Sequence, residues 1–148
     1  MDNSEENNEA PGFSHGSFGQ LGMTEFPASE DISSYFSLDF TGNPITTFKN
    51  LPILPLLENL IMDDTKLESF YAVKKQPSLN SISLKNTPIS NNPCLRIMTI
   101  VAFGYWLKEI DGTEITNEEN STAQIIGPRL RPLLESGWIL TSVDPPKV

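Results

Sequence analysis

Apolar and polar residues of this chain recur in the same order at an offset of 22 residues. The segments YFSLDFTGNPI (35–45), LENLIMDDTKL (57–67) and LNSISLKNTPI (79–89) align without gaps. A period of this length indicates a repeat architecture, in which neighbouring copies stack on one another. Five positions keep their residue class in all three copies: Tyr35/Leu57/Leu79, Leu38/Leu60/Ile82, Phe40/Met62/Leu84, Asn43/Thr65/Thr87 and Ile45/Leu67/Ile89.

A weaker copy precedes these three. Phe13, Phe18, Leu21 and Met23 fill four of its five positions, and Gly16 stands where the other copies have leucine or isoleucine. We therefore predict three full repeats and a degenerate first one.

Each repeat predicts one short strand. Two apolar residues, such as Leu60 and Met62, point inward, and the residue between them points outward. Stacked copies then form a parallel sheet whose inner face no single copy can bury alone. In the segments that connect the strands, Pro52 and Pro55 argue against a long helix, so we expect short 3₁₀ or extended turns on the convex side. A further column, Phe26/Phe48/Phe70, is expected to stack as a spine along that side.

The pattern L-x-x-L-x-L-x-x-N/T-x-L resembles the leucine-rich repeat. It is most similar to the short 22-residue class found in phosphatase-1 regulators, the spliceosomal A-prime protein and an axonemal dynein light chain, and it covers residues 13–116. The resemblance implies an α/β fold, a right-handed solenoid with a short parallel β-sheet on its concave face and a helical C-terminal cap. It also implies that the Asn43 side chain satisfies backbone groups inside the solenoid, which Thr65 and Thr87 do less completely and Leu21 cannot do.

The repeat ends in a segment that predicts a cap. Asn92, Pro93 and Gly104 frame a helix of about 93–103, because they are typical residues for a helix start and a helix end. Leu107, Ile110 and Asp111-Gly112 are then expected to begin a last strand. The run L-x-x-I-D-G-x-x-I-T, with Arg96 in the preceding helix, resembles the C-terminal cap of this repeat class.

A second helix is predicted to start near residue 117, because Thr116 and Glu119 form a capping box. Beyond it, several apolar residues are expected to fold back on the cap: Leu130, Leu133, Leu134, Trp138, Ile139 and Leu140. The alternative is that Trp138 is an exposed hook for a partner.

These patterns divide the chain into three parts. Residues 1–12 are predicted to be an acidic disordered tail, and residues 117–148 a helical and extended C-terminal tail folded on the cap. Between them, residues 13–116 hold the repeats and the cap, with boundaries at 13–34, 35–56, 57–78, 79–92 and 93–116.

The charge of the chain is unevenly distributed. The net charge is −9, but residues 1–31 carry seven acidic and no basic side chains, whereas the remainder has 12 acidic and 10 basic ones, a balance of −2. Neither part offers the basic stripe that binds a phosphate backbone, so no direct nucleic-acid binding is expected. The sequence shows no apolar run long enough for a membrane span and no secretory signal. We therefore expect an intracellular protein, cytoplasmic or nuclear.

Residues capable of catalysis or metal binding are few. His15 is the only histidine, and Ser14 and Ser17 beside it do not make a triad. The single cysteine, Cys94, can form no internal disulfide, although a position at a helix start can lower a thiol pKa. The acids Asp63-Asp64 and Asp111 fall on separate repeats, without the compact spacing of a metal loop. The sequence therefore predicts no enzyme activity, no cofactor and no metal site.

A binding surface is better supported, because the repeat specifies which side chains face outward on the sheet. Ile61 is the apolar residue at the centre of this surface. It is either an anchor for a partner side chain or a residue that merely suits a strand. The predicted partner-binding residues on the concave face are Asp39, Thr41, Asn59, Ile61, Asp63, Ser81, Ser83, Lys85, Glu109 and Asp111.

The sequence thus predicts a non-enzymatic interaction module, an adaptor or regulatory subunit that binds a protein partner. One alternative is a subunit of ribonucleoprotein assembly resembling the spliceosomal A-prime protein. Two others are a small repeat protein that forms homodimers and an enzyme that uses Cys94.

Overall fold

The computed structural model describes residues 14–148. The predicted acidic tail 1–12 and the repeat position Phe13 lie outside the described residues. None of the helices in residues 14–148 is both long and apolar enough to cross a membrane.

Six of the eight strands in the described residues form one sheet, in the order of the sequence. Five of them run parallel: β1 (Ser14–Ser17), β2 (Tyr35–Asp39), β3 (Asn59–Ile61), β4 (Ser81–Ser83) and β5 (Glu109–Ile110). The sixth, β6 (Thr113–Glu114), pairs antiparallel with β5. Leu38 pairs with Leu60 and Leu60 with Ile82, so the register of the sheet follows the 22-residue repeat. This architecture agrees with the predicted stack of repeats.

The inward columns form the core. Leu38, Leu60, Ile82 and Ile110 are all 0% exposed. Each buried side chain of this size contributes about 1.5–3 kcal/mol through removal from water. The stack therefore stabilises strands that are too short to persist alone.

After each repeat strand the chain turns through a residue with a left-handed backbone. Asparagine, aspartate and glycine adopt this conformation most readily. The residues in question follow the repeat: Gln20 (φ 55°), Gly42 (φ 79°), Asp64 (φ 58°) and Asn86 (φ 57°).

The degenerate first coil is confirmed as part of the sheet, with Gly16 paired to Leu38. A Cβ at Gly16 would lie 2.9 Å from both the Leu38 and the Phe18 side chains. The Phe18 ring stacks on Phe40, with ring centroids 5.4 Å apart. Glycine is therefore needed here because aromatic rings fill the space that leucine occupies in the other coils.

Asn43 links two coils through four hydrogen bonds, as predicted. Its Oδ1 accepts from the backbone N–H groups of Leu21 and Met23, both at 3.0 Å. Its Nδ2 donates to the carbonyls of Phe18 (2.8 Å) and Phe40 (2.9 Å). The role of this side chain is thus confirmed.

The threonines at the same position do less, also as predicted. The hydroxyl of Thr65 donates to the Met62 carbonyl, and that of Thr87 to the Leu84 carbonyl, both at 2.8 Å. A hydroxyl cannot replace the four bonds of an amide.

The aromatic spine is confirmed. Phe48 stacks on Phe26 and Phe70 at centroid distances of 6.4 Å and 5.9 Å. Phe103 of the cap continues the spine, edge-on to Phe48 at 5.2 Å. The spine therefore joins the repeats to the cap.

The connecting segments contain little helix, as the prolines predicted. One four-residue helix, α1 (Ser29–Ile32), lies in the first connection. Gln76, a residue that the repeat pattern does not single out, is 0% exposed. Its amide accepts from Leu54 N and donates to the Pro52 carbonyl, both at 2.8 Å. It ties neighbouring coils together on the side opposite the sheet, where the pattern predicted only turns.

The cap begins with a 3₁₀ helix (Pro88–Asn91) and continues into α2 (Leu95–Phe103). The predicted start at residue 93 was early, because Asn92 and Pro93 belong to the turn before the helix. The Asn92 side chain accepts from the Cys94 backbone N–H at 2.7 Å, and Cys94 is the N-terminal cap residue. Gly104 ends α2 as predicted, at φ 127°.

The prediction that Asp111-Gly112 lies in a last strand was wrong. Both residues have positive φ, 54° and 81°, and form the two-residue turn between β5 and β6. Asp-Gly is a favoured pair for such a hairpin turn. The expected last strand itself is confirmed as β5, which contains Ile110 and pairs parallel with β4, but it ends before Asp111.

Helix α3 (Asn117–Glu135) begins with the predicted capping box of Thr116 and Glu119. It packs against α2 and buries one stripe of small and apolar residues. Two short strands, β7 (Ser142–Val143) and β8 (Pro146–Lys147), form a hairpin after it. The buried stripe of α3 consists of Ala123, Gly127, Leu130 and Leu134.

Not all of the apolar tail is buried. Leu140 is 0% exposed, and its carbonyl accepts from the Asn92 amide at 3.0 Å. Leu133 and Trp138, in contrast, are 38% and 54% exposed. The expectation that these two side chains are covered by the cap was therefore wrong.

Arg96 joins α2, the β5–β6 hairpin and α3. Its Nε donates to Glu119 Oε2 at 2.6 Å, and its Nη2 donates to Glu119 Oε1 at 3.0 Å and to the Glu114 carbonyl at 2.8 Å. Its Nη1 donates to the Ile110 carbonyl at 3.2 Å. The hydrogen bond from Arg96 is the main reason why the pKa of Glu119 lies below its ordinary value.

This lowered pKa predicts a pH dependence of stability. Because the carboxylate is favoured in the folded state, its contribution is complete above the ordinary pKa of 4.5 and is lost as the pH falls through the lower folded value. A Glu119→Gln variant lacks this contribution. We expect the native chain to have a higher urea midpoint than Glu119→Gln at pH 7. The difference between the two midpoints should narrow below pH ~4.5. A difference in midpoint that stays constant down to pH ~2 would show that the Glu119 carboxylate is not the source of the stabilisation.

Candidate partner-binding face

The outward side chains of β1 to β5 lie on one face of the sheet, which we call the concave face. In register, one row of this face consists of His15, Ser37, Asn59, Ser81 and Glu109. The next row consists of Ser17, Asp39, Ile61 and Ser83. Of the remaining predicted residues, Thr41, Asp63, Lys85 and Asp111 follow the strand ends.

The first row is a ladder of hydrogen-bonded side chains. His15 Nδ1 lies 2.8 Å from Ser37 Oγ, and Asn59 Nδ2 donates to the same hydroxyl at 3.0 Å. At the other end, Ser81 Oγ donates to Glu109 Oε1 at 3.3 Å. These polar groups are therefore oriented before any partner arrives, which lowers the entropic cost of binding.

Three carboxylates at the strand ends accept hydrogen bonds from the backbone. Asp39 Oδ1 accepts from Thr41 N at 2.9 Å, and Asp63 Oδ1 accepts from Lys85 N at 2.9 Å. Asp111 Oδ1 accepts from Leu84 N at 2.6 Å. The sequence pattern predicts these acids as binding residues and does not indicate this structural role.

The same bonds leave the carboxylates suitable for binding. The bonds to Thr41, Lys85 and Leu84 each use Oδ1, and a carboxylate can accept through both of its oxygens. The bonds fix the direction of each side chain, so the negative charges of Asp39 and Asp63 are held in place on the face. Lys85 is exposed and is the one basic residue among the ten predicted binding residues. The face is therefore acidic in balance.

Ile61 is the apolar residue at the centre of this face. It lies between Asp39 and Ser83 in register and is half-buried, whereas its chain neighbours Leu60 and Met62 are fully buried on the opposite side of the strand. An apolar side chain ringed by polar groups is the usual arrangement of a binding anchor and its rim.

The candidates for catalysis are not brought together. His15 contacts Ser37 of the next coil, and the described residues contain no cluster of three or more histidine, cysteine or acidic side chains suited to a metal ion. Cys94 is 7% exposed, and its burial raises the pKa of the thiol. The position at the helix start does not lower the pKa of this thiol, because desolvation disfavours the thiolate.

Trp138, the alternative hook, follows α3 and is 54% exposed. Its backbone N–H donates to the Leu133 carbonyl at 3.0 Å, which fixes the position of the residue but leaves its ring accessible. It belongs to a different surface from Ile61.

No family model matches the sequence, and no curated protein matches it. Among solved structures, the chain is similar to a chain in the crystal structure of the Drosophila melanogaster SNF/U2A' complex, with a TM-score of 0.51 and 17% identity. The match covers 74% of this chain and 79% of that chain. U2A' is a leucine-rich-repeat protein, and the likeness confirms the leucine-rich-repeat fold predicted from the 22-residue period.

Proposed function

We propose that this chain is a non-enzymatic adaptor or regulatory module that binds a segment of a protein partner on the concave face. The observation that carries the proposal is the position of Ile61, a half-buried apolar side chain at the centre of a polar, pre-oriented sheet face. A core role does not account for Ile61, because Leu60 and Met62 already fill the inner side of the stack.

The charge of the face favours a partner segment with a basic side chain next to an apolar one. Asp39 and Asp63 flank Ile61 from neighbouring positions, and their bonds to Thr41 and Lys85 keep both carboxylates in fixed directions. Fixed charges of this kind contribute mainly to specificity and to the association rate, while the buried apolar contact contributes most of the affinity.

The solved neighbour supports the same class of function. The Drosophila structure is a complex of SNF with U2A', so a chain of this fold takes part there in an assembly with another protein. By this analogy a partner protein is the first candidate for the present chain.

The alternative of ribonucleoprotein assembly, which the sequence resemblance implies, is distinguished by its dependence on salt. A chain that contacts RNA through its own surface loses affinity steeply as the salt concentration rises. Because the predicted binding residues are mostly acidic or neutral, we expect capture of a protein partner that does not require RNA and survives treatment with ribonuclease.

The proposal predicts the outcome of an affinity capture from lysate with variants at Ile61. Ile61→Ala removes the anchor and is expected to weaken capture of the partner about tenfold, while Ile61→Glu should abolish it. Asp39→Asn with Asp63→Asn keeps the acceptor oxygens but removes the charge, and should slow association. The control is Ile53→Glu, since Ile53 is 54% exposed on a connecting segment.

Circular dichroism would establish that each variant folds. If folded Ile61→Ala and Ile61→Glu proteins both capture the same partner as strongly as the native chain, the concave-face proposal is wrong.

A further inference from the structure

Helix α3 carries a second apolar stripe besides the one that packs on α2. Ile125 is 79% exposed and Leu133 is 38% exposed. The two lie eight residues apart on the helix, which is two turns plus about 80° and places both within one face. Ile126 beside them is partly buried. Nothing in the packing of the repeats requires apolar residues at Ile125 or Leu133, because the stripe around Leu130 and Leu134 already packs against the cap.

The β7–β8 hairpin turns this stripe into a groove. Val143, Pro146 and Val148 form the wall opposite α3, and Leu130 and Leu140 lie in its floor. The groove is open along one side and has a volume of about 790 Å³. It is therefore an apolar channel between a helix and a hairpin, separate from the concave face.

The basic side chains along the groove contrast with the acidity of the whole chain. Arg129 lies on the exposed stripe between Ile125 and Leu133, and Lys147 lines the opposite wall. Of the described residues that line the groove, Asp144 is the single acidic one, whereas the chain as a whole has a net charge of −9. A ligand in the groove would thus contact apolar side chains on its floor and the basic side chains of Arg129 and Lys147 at its edges.

We propose that this groove binds an amphipathic helix of another protein, with an acidic residue beside its apolar stripe. From Thr122 to Leu133 the groove follows α3 for about three turns, roughly 17 Å at 1.5 Å per residue. That length matches a helix bound through apolar residues at i, i+3 or i+4, and i+7. A carboxylate near the middle of such a helix pairs with Arg129 or Lys147, as oppositely charged rims do in specific interfaces.

A second copy of this chain fits the groove less well. An antiparallel pair of α3 helices centred on the exposed stripe brings Ile125 of one copy to Leu133 of the other, but it also opposes the two Arg129 side chains. Like charges opposed across an interface disfavour association. The position of Arg129 therefore favours an acidic partner over self-association.

The test is a selection of displayed 16-residue peptides on the full chain, followed by affinity measurements with three variants. Ile125→Asp introduces a charge at the most exposed apolar side chain of the groove, so the fold is retained. Arg129→Glu with Lys147→Glu reverses the charge of the groove, and Ile61→Ala is the control on the concave face.

We expect a class of peptides with helical apolar spacing and an acidic residue, bound equally by the native chain and Ile61→Ala. Their affinity should fall at least tenfold with Ile125→Asp and with the double charge reversal. The proposal is overturned if no selected peptide depends on Ile125, or if those that do carry basic instead of acidic residues. Light scattering that shows a native dimer and a monomeric Ile125→Asp variant would assign the groove to a second copy and also overturn it.

Discussion

Replacing Asn43 with leucine is expected to lower the free energy of unfolding by about 3–5 kcal/mol, although leucine is close in size and suits the apolar surroundings. Asn43 is 1% exposed, and its amide accepts from Leu21 N and Met23 N and donates to the carbonyls of Phe18 and Phe40. Each buried backbone group left without a partner costs about 1–3 kcal/mol. Water can reach part of this set, because Leu21 is 63% exposed, so the full sum is not expected.

The effect should appear in urea unfolding as a lower midpoint with an unchanged slope. Thr65→Val is the matched control at the equivalent position of the next coil, where a single hydroxyl bond to the Met62 carbonyl is lost. Its expected cost is about 1 kcal/mol. Equal losses in Asn43→Leu and Thr65→Val would show that the amide does not hold the first coils together.

Replacing Arg96 with methionine is expected to cost about 3 kcal/mol, because several charge-assisted hydrogen bonds disappear together. Methionine retains the apolar stem of the side chain but none of its donors. The Glu119 carboxylate then loses its partner, and the carbonyls of Ile110 and Glu114 lose a donor. The damage should be concentrated in the β5–β6 hairpin and the first turn of α3.

Hydrogen exchange measures this local effect. We expect faster exchange at Ile115 N, whose bond to the Lys108 carbonyl closes the hairpin, and nearly unchanged exchange in β2 and β3. Arg129→Met is the control, since Arg129 is exposed and its replacement should change stability by less than ~0.5 kcal/mol. Loss of protection spread evenly over the sheet would contradict a local role for Arg96.

The residues with a structural role could be read from the sequence wherever the period held. Leu38, Leu60 and Ile82 share one column, and so do Phe26, Phe48 and Phe70, because each coil repeats the environment of the one before it. The outward rows of the concave face followed from the same register.

The prediction was less complete where side chains act across coils. Gln76 replaces an apolar residue of its column and binds the backbone of Pro52 and Leu54, a bond that depends on the distance between two connecting segments. Asp63 and Asp111, which follow β3 and β5, accept from backbone N–H groups that follow the neighbouring strand β4. No local pattern specifies such partners.

The sequence by itself therefore determined the repeat, its inward and outward faces and the residue classes at the strand exits, because a 22-residue period imposes one geometry on every copy. Only the tertiary structure decided the arrangement of the cap and the C-terminal segment, where the 22-residue period no longer applies. Ile82 of β4 pairs with Ile110 of β5, and helix α2 lies between these two strands in the sequence, so the 22-residue spacing is not kept there. The β5–β6 hairpin, the Arg96 linkage and the groove beside Ile125 arise from how α2, α3 and the last hairpin pack together, and that packing depends on contacts between residues far apart in the chain.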